Sequence, residues 1–151
     1  MKNTYKKIET FFQRFFTLDD TPNNIAAGAA LGIFLGIVPG EGLATTLVIT
    51  ALIGINKASA TIGVLATNMW GTIAVLPLAT FIGGWVFRID SARLASEFKA
   101  TYNLGFKYFL SKAIFFDLAL PLIVGFITSA GLIALVFYLI VYFLLKHKKA
   151  V

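Results

Sequence analysis

The 151-residue sequence has no cysteine, one histidine and few charged residues. Without cysteine there are no disulfides and no thiolate chemistry, and a lone His147 leaves no His/Cys cluster for zinc. Charged residues make up 13 % of the chain and apolar residues 58 %, against about 25 % and 45–50 % in a soluble domain. A soluble domain of this length cannot bury so much apolar surface. The composition therefore predicts a one-domain integral membrane protein.

Groups for conventional catalysis are also scarce. The apolar part of the chain has no histidine beside an acid, no paired carboxylates and no phosphate-binding glycine loop. The net charge is +6. In so hydrophobic a chain, we expect the basic residues to set the membrane topology and to contact anionic lipid headgroups, and not to bind nucleic acid. We predict a protein that is not an enzyme, uses no cofactor or metal, and binds no nucleic acid.

The first twenty residues carry aromatic and basic side chains at helical spacing. Tyr5, Ile8 and Phe12 recur every three or four residues, among several lysines. This pattern predicts an amphipathic helix over residues 1–20 that lies on the membrane surface, with its rings at the level of the headgroups.

A membrane domain is expected over residues 21–145, followed by a basic cytoplasmic tail (146–151). Its first half is divided into short apolar pieces by turn-forming residues. A helix of about 14 residues rises about 21 Å, which falls short of a hydrocarbon core of about 30 Å. We therefore predict short re-entrant hairpins, because turns at depth are tolerated beside protein or a water-filled cavity. The predicted hairpins cover residues 22–56, 58–87 and 113–145, with a surface helical segment over 88–112.

The last apolar stretch, residues 113–145, allows two interpretations. Thr128, Ser129 and Gly131 favour a turn at 128–131, and a single tilted, kinked helix is the alternative. Three hairpins would place all thirteen basic residues on the cytoplasmic side, as the positive-inside rule prefers. The sequence thus predicts an all-α, polytopic helical membrane protein with re-entrant hairpins, interfacial amphipathic helices and cytoplasmic N- and C-termini.

An ordered set of short motifs runs through residues 21–87. It comprises a Thr-Pro start, a glycine-spaced arm that ends in proline, a polar Asn-Lys link, and an arm that reaches an asparagine turn and a proline. The motifs are Thr21-Pro22, Gly32, Gly36, Pro39, Asn56-Lys57, Gly63, Asn68 and Pro77. Together they resemble the bacterial family known as domain of unknown function 2062. The chain departs from that pattern at Gly40-Glu41-Gly42, where the family often has an aromatic residue or a second proline, and at Asn68-Met69, where it often has Asn-Pro.

The resemblance carries functional implications. Members occur fused to glycosyltransferase domains that use polyprenyl phosphates. By analogy, the resemblance implies a role in the glycolipid metabolism of the cell envelope. It also implies the bacterial cytoplasmic (inner) membrane. The Pro39-Gly40-Glu41 turn is in addition similar to the re-entrant tip of DedA-type membrane proteins, which are associated with undecaprenyl phosphate recycling.

Glu41 is the sharpest site candidate. A charged group at membrane depth costs about 2.5–3.5 kcal/mol on insertion scales, so it normally faces a cavity or a partner. In that setting Glu41 would couple to protonation, or bind a cation or the amine of a headgroup. The alternative is a hairpin that crosses fully, with Glu41 in water on a four-residue turn.

Other polar residues join Glu41 if the tips of the first two hairpins meet. One pocket would then be lined by Glu41, Thr45, Thr46, Asn68 and Thr72. Lys57 and Arg88 would attract a phosphate at its cytoplasmic mouth, and ordinary topology-setting charge is the alternative. Turn or packing roles are predicted for Gly32, Gly36, Pro39, Gly40, Gly42, Trp70, Gly71 and Pro77. The glycine-rich face is expected to pack on the second arm, on Gly54 or Gly63, or on another protomer.

These features predict a small membrane protein that binds or transports a lipid-linked anionic substrate, of the polyprenyl phosphate or glycolipid type, in cell-envelope biogenesis. The alternatives are a non-catalytic scaffold or assembly partner of a glycosyltransferase, and a small-solute channel or exporter. The expected partners are the lipid bilayer with its anionic headgroups, a lipid phosphate, a glycosyltransferase and, through the glycine-rich face, a second copy of the chain.

Overall fold

The computed structural model describes residues 2–16, 18–40, 42–101, 104 and 115–149. Within these ranges the chain is helical and contains no strand. The helices are α1 (Lys2–Phe16), α2 (Pro22–Ile37), α3 (Leu43–Ile53), α4 (Lys57–Phe87), α5 (Ser91–Thr101) and α6 (Leu120–Lys149), the last preceded by a π-helical turn at Phe115–Ala119. The all-α prediction is confirmed for the described residues. Of the expected surface segment (residues 88–112), residues 102, 103 and 105–112 lie outside them.

Helices α2 and α3 form the first pair of short helices expected from the sequence. The Thr21 hydroxyl oxygen accepts a backbone hydrogen bond at the start of α2, and Pro22 occupies its first turn. The chain then turns at Pro39-Gly40, where Gly40 has a φ of 86°, a conformation that favours glycine. Helix α3 returns toward the start of α2 and ends at Gly54.

Asp20 holds the two ends of this pair together. Its Oδ1 accepts a hydrogen bond from Asn24 Nδ2 at 3.1 Å, and its Oδ2 accepts one from Asn56 Nδ2 at 2.9 Å. Asn56 also caps α4, because its Oδ1 accepts a hydrogen bond from the Ser59 nitrogen at 2.8 Å. We call the end of the bundle that holds Asp20 and Asn56 the base.

Helix α4 consists of two helical segments that meet at Asn68, and the hairpin predicted over residues 58–87 is not observed. Asn68 alone departs from helical angles (φ 26°, ψ −143°), whereas a helical hairpin needs a loop of about two to five residues. Before the break α4 runs beside α2. Beyond it α4 passes the end of α2 and pairs with α6, where a β-carbon on Gly83 would overlap the Pro121 carbonyl.

Helix α6 continues through residues 128–131, so the single helix is observed and the predicted turn there is not. It runs antiparallel to α2 and α4. Near the base the Tyr138 hydroxyl donates a hydrogen bond to Asn23 Oδ1 at 2.6 Å. Further from the base, a β-carbon on Gly125 would overlap the Ala79 carbonyl. Small residues allow membrane helices to approach closely without ending them, which explains why this stretch stays helical.

The glycine-rich face of α2 packs against α4 of the same chain. A β-carbon on Gly32 would overlap the Ala60 carbonyl, and one on Gly63 would meet the Ala29 carbonyl oxygen at 2.5 Å. Of the partners expected for this face, Gly63 is the one observed, whereas a β-carbon on Gly54 would meet nothing within 4 Å. Because α4 covers the face, an oligomer would have to use another surface.

The core lies between α2, α4 and α6, and α5 packs onto it at the end away from the base. The ring of Phe98 on α5 lies 5.8 Å from that of Phe126 on α6. Around them are Ile33, Ile37, Val75, Leu76, Ala79, Leu94, Leu118, Leu122 and Ala130. A second cluster near the base joins α2 to the end of α6 through Ile25, Ala26, Ala29, Val141 and Leu145.

Candidate functional site

The turn between α2 and α3 lies beside the break in α4, so two parts of the predicted site meet. A β-carbon on Gly36, near the end of α2, would lie 3.1 Å from the Asn68 nitrogen. We call Pro39, Gly40 and Gly42 the tip; Gly40 is exposed and Gly42 is half-buried. Glu41 itself lies outside the described residues.

Thr72 makes the direct link between the two parts. Its hydroxyl donates a hydrogen bond to the carbonyl oxygen of Ile37 at 2.8 Å. Ile37 is the last residue of α2, where helix carbonyls lack partners within their own helix. Thr72 therefore satisfies the end of α2 from a position one turn beyond the break, and its side chain is buried.

Asn68 is the strained residue of the region. Its φ of 26° lies in the left-handed region, which costs a non-glycine residue about 1–3 kcal/mol. Such a residue interrupts the helical hydrogen-bond ladder, so a new helix N-terminus begins after it. The Asn68 side chain is exposed and lies next to this N-terminus.

A second helix N-terminus lies at the tip. Helix α3 begins after Gly42, which offers no side-chain cap to the first amide groups. Five residues separate this helix start from Ile37, the residue that Thr72 contacts. Two helix N-termini, each the positive end of a helix dipole, thus lie in the same part of the bundle.

The threonines of α3 do not line an open pocket in the way the sequence suggested. Thr46 is fully buried, and its hydroxyl donates to the Gly42 carbonyl of its own helix at 2.9 Å. Thr50 is buried in the same way and donates to the Thr46 carbonyl at 2.8 Å. Thr45 is half-buried on an adjacent face. The inner face of α3 is therefore a packing surface.

The structure does not bring Lys57 and Arg88 together at the mouth of one pocket. Lys57 begins α4 at the base, and Arg88 follows its last residue at the far end. The 31 residues of α4 separate them by up to about 46 Å, the length of a straight helix. Near Arg88, the Arg93 Nε donates to Glu97 Oε1 at 2.7 Å. That hydrogen bond, with the nearby carboxylate charge, raises the pKa of Arg93 above its ordinary value.

The residues assigned turn or packing roles around the break divide into two groups. Gly71 is close-packed, because a β-carbon there would lie 3.2 Å from Ile37 Cγ1. Trp70 is 80 % exposed, which suits an anchor in lipid or at the interface. Pro77 is exposed and lies inside α4, which continues past it to Phe87.

Ser129 is a polar residue that sequence reasoning placed in a turn. Its Oγ is buried and has no hydrogen-bond partner among the described residues. It lies one helical turn from Gly125, on the side toward the break in α4. The burial of Ser129 could have been predicted from its spacing to the core residues Leu122 and Phe126, because this spacing puts all three residues on one helix face.

No group of three or more potential metal ligands occurs in the part of the chain that the structure describes. Comparison with known protein families matches residues 5–150 to a family described as an uncharacterised protein conserved in bacteria (DUF2062). Comparisons with curated proteins and with solved structures gave no match. Because the match covers nearly the whole sequence, this chain belongs to the DUF2062 family of bacterial proteins.

Proposed function

We propose that this chain is an integral membrane protein that binds or moves a lipid-linked anionic group, such as a polyprenyl phosphate or its glycosylated form. The observation that carries the proposal is the meeting of the α2–α3 tip with the broken helix α4. Discontinuous helices whose N-termini point at a site near the midplane are a common way for transporters to bind anionic substrates.

Membrane insertion is supported by the exposure of the apolar helices. The segments Trp70–Phe87 and Phe115–Lys148 are long and apolar enough to cross a membrane. Only 39 % and 28 % of their residues are buried inside the structure, whereas most residues of a central helix in a soluble protein are buried. Large apolar side chains left exposed on α6 include Leu132, Leu135, Val136, Leu139, Ile140, Phe143 and Leu144. Contiguous apolar surface of this kind requires a bilayer or a partner.

The orientation we propose places the base in the cytoplasm. Helix α1 and the end of α6 lie together there, since the rings of Phe11 and Phe137 are 6.2 Å apart. Basic residues follow at the same end, with Lys57 and Lys146 among them. The positive-inside rule favours cytoplasmic N- and C-termini, because eight of the thirteen basic residues lie before α2, at Lys57 or after Leu145, and five lie in residues 88–112. We place the chain in the bacterial inner membrane. In this topology α4 and α6 each cross once, and the α2–α3 pair is re-entrant from the base.

Helix lengths support the re-entrant interpretation. Helix α2 has 16 residues and α3 has 11, which correspond to about 24 Å and about 17 Å. Both fall short of a hydrocarbon core of about 30 Å. Their tip also lies beside the interior of α4, and not beside either of its ends.

The chemistry of the site favours an anion that arrives in the bilayer. The two helix N-termini supply amide donors and a partial positive charge, which suit phosphate oxygens. The exposed amide of Asn68 adds a hydrogen-bonding group. The family's association with glycosyltransferases that use polyprenyl phosphates supplies the substrate class, by analogy. We propose that Glu41 couples release to protonation, and that the chain has no catalytic activity of its own.

The test is ligand-dependent stability of the purified full chain in neutral detergent. Undecaprenyl phosphate should raise the Tm, and undecaprenol, which lacks the phosphate, should not. Asn68→Gly keeps the left-handed backbone but removes the amide, so we expect it to reduce the shift; Asn3→Ala, an exposed change on α1, is the matched control. Equal shifts with both lipids, or an unchanged shift in both Asn68→Gly and Glu41→Gln, would exclude this site.

The alternative of a glycosyltransferase scaffold is weakened by the packing of α2. The glycine-rich face expected to receive a partner is covered by α4. A scaffold role would therefore need the exposed faces of α4 or α6. It would be favoured if a glycosyltransferase co-purifies with the chain and is lost on substitution of exposed α6 residues, while Glu41→Gln and Asn68→Gly have no effect.

A further inference from the structure

A cleft of about 340 Å³ runs along the polar face of α1, away from the site at the tip. Its described lining consists of Lys6, Lys7, Thr10, Phe11 and Arg14. These five positions fall within a 140° arc of the helix, at 100° per residue. Three of the five side chains are basic, so the cleft is strongly cationic.

No acidic side chain of α1 lines this cleft. Glu9 is the one acid of the helix, and it lies outside the arc. Its Oε1 accepts a hydrogen bond from Gln13 Nε2 at 3.2 Å, on the flank of the helix. The Thr10 hydroxyl donates to the Lys6 carbonyl at 2.7 Å. The ammonium groups of Lys6 and Lys7 are therefore the donors that we assign to a ligand.

The position of the cleft is set by Phe11, which lines it and also contacts α6. The rings of Phe11 and Phe137 lie 6.2 Å apart. Tyr138, the next residue of α6, stacks with Tyr142 one turn further on, with ring centroids 5.9 Å apart. Lys146 Nζ lies 5.8 Å from the Tyr142 ring centroid. Tyrosines beside lysines at the end of an apolar helix are typical of the headgroup level of a bilayer. The cleft therefore lies where lipid phosphates are found.

We propose that the cleft along α1 binds the phosphate of an anionic lipid headgroup. Lys6 and Lys7 attract the phosphate as point charges, and Arg14 adds positive charge to the same arc of α1. The ring of Phe11, which packs beside Phe137 of α6, is the apolar part of the cleft lining. This site is separate from the tip, and it requires neither transport nor a polyprenyl substrate.

The experiment uses the full chain in neutral detergent, titrated with dioctanoyl phosphatidylglycerol and followed by thermal shift and native mass spectrometry. Dioctanoyl phosphatidylcholine has the same acyl chains without net negative charge, and inorganic phosphate is the lipid-free anion. We expect saturable binding of phosphatidylglycerol and at least tenfold weaker binding of the other two. Lys6→Gln/Lys7→Gln should weaken phosphatidylglycerol binding roughly 30-fold, at about 1 kcal/mol per basic residue near an anionic surface.

The matched control is Lys57→Gln/Arg88→Gln, which removes the same charge from residues outside the cleft and should change the affinity less than threefold. Lys6→Arg/Lys7→Arg should restore binding, which separates lost charge from a misfolded helix. Equal affinity for phosphatidylcholine, or equal losses in the two Gln double variants, would overturn the proposal. Inorganic phosphate that binds as tightly as phosphatidylglycerol would show a free-anion site and would overturn it as well.

Discussion

The hydroxyl of Thr72 donates a hydrogen bond to the main-chain carbonyl of Ile37 at 2.8 Å, across 35 residues of sequence. This bond joins the end of α2 to α4 just beyond the break at Asn68. Both groups are removed from solvent, since Thr72 and Ile37 are 6 % and 2 % exposed. The bond therefore holds the tip against the broken helix.

Removal of this bond should destabilise the protein. Thr72→Val leaves the Ile37 carbonyl without its donor, and an unsatisfied buried group costs about 1–3 kcal/mol. We expect a lower Tm in thermal unfolding of the purified chain. Thr61→Val is the control, because the Thr61 hydroxyl bonds the Lys57 carbonyl of its own helix at 2.9 Å. Equal effects of the two changes would show that the link contributes nothing specific.

Close packing of α2 on α4 predicts opposite results at two glycines. At Gly32 a β-carbon would overlap the Ala60 main chain, which cannot move aside as a side chain can. Gly32→Ala should destabilise by about 1–3 kcal/mol, as overpacking does. At Gly131 on α6 a β-carbon meets nothing within 4 Å, so Gly131→Ala should be neutral or stabilise by up to about 1 kcal/mol. Chemical or thermal unfolding in detergent measures both, and a harmless Gly32→Ala would contradict the packing.

The course of α4 past Asn68 predicts a long distance between its ends. Spin labels at Lys57→Cys and Arg88→Cys, both exposed sites in a chain without cysteine, should lie far apart, up to about 46 Å if the two segments of α4 were in line. A hairpin would bring residue 88 back to the base, where neighbouring helix axes are about 8–10 Å apart. Pulsed electron–electron spin resonance measures this distance, and a short one would restore the hairpin.

The hydroxyl of Ser129, which has no partner among the described residues, predicts that its removal stabilises the protein. Burying this group without a hydrogen bond is unfavourable, so Ser129→Ala should raise the free energy of unfolding by about 1 kcal/mol in the absence of ligand. Ser59→Ala should lower it, because the Ser59 hydroxyl donates to the Asn56 carbonyl at 3.0 Å. A loss of stability in Ser129→Ala would mean that the hydroxyl has a partner in solution.

Local turn chemistry made the α2–α3 pair predictable. Thr21-Pro22 starts a helix, Pro39-Gly40 ends one, and Asn56 caps the next, all through contacts within a few residues. The threonines of α3 were predicted as site residues because the sequence does not show that their hydroxyls bond the carbonyls of α3 itself.

The second and third hairpins failed for a different reason. They were predicted from the number of basic residues on each side of the membrane. That number does not show whether the helical segments before and after Asn68 fold back on each other. In α4 only Asn68 departs from helical angles. Residues 128–131 can all adopt helical angles, and they do so within α6. Lys57 and Arg88 were placed together only because the hairpin was assumed.

In the topology that we propose, the α2–α3 tip ends inside the membrane and is reached from the base. Gly42→Cys tests it most directly, because Gly42 has an extended backbone and a β-carbon there meets nothing within 4 Å. Labelling with a membrane-impermeant maleimide is compared in intact cells and inverted vesicles, with Ala92→Cys and Lys57→Cys as markers of the far end and the base. We predict that Gly42→Cys is protected in cells and labels slowly in inverted vesicles, while Ala92→Cys labels in cells and Lys57→Cys in vesicles. Labelling of Gly42→Cys in intact cells as fast as Ala92→Cys would contradict the account.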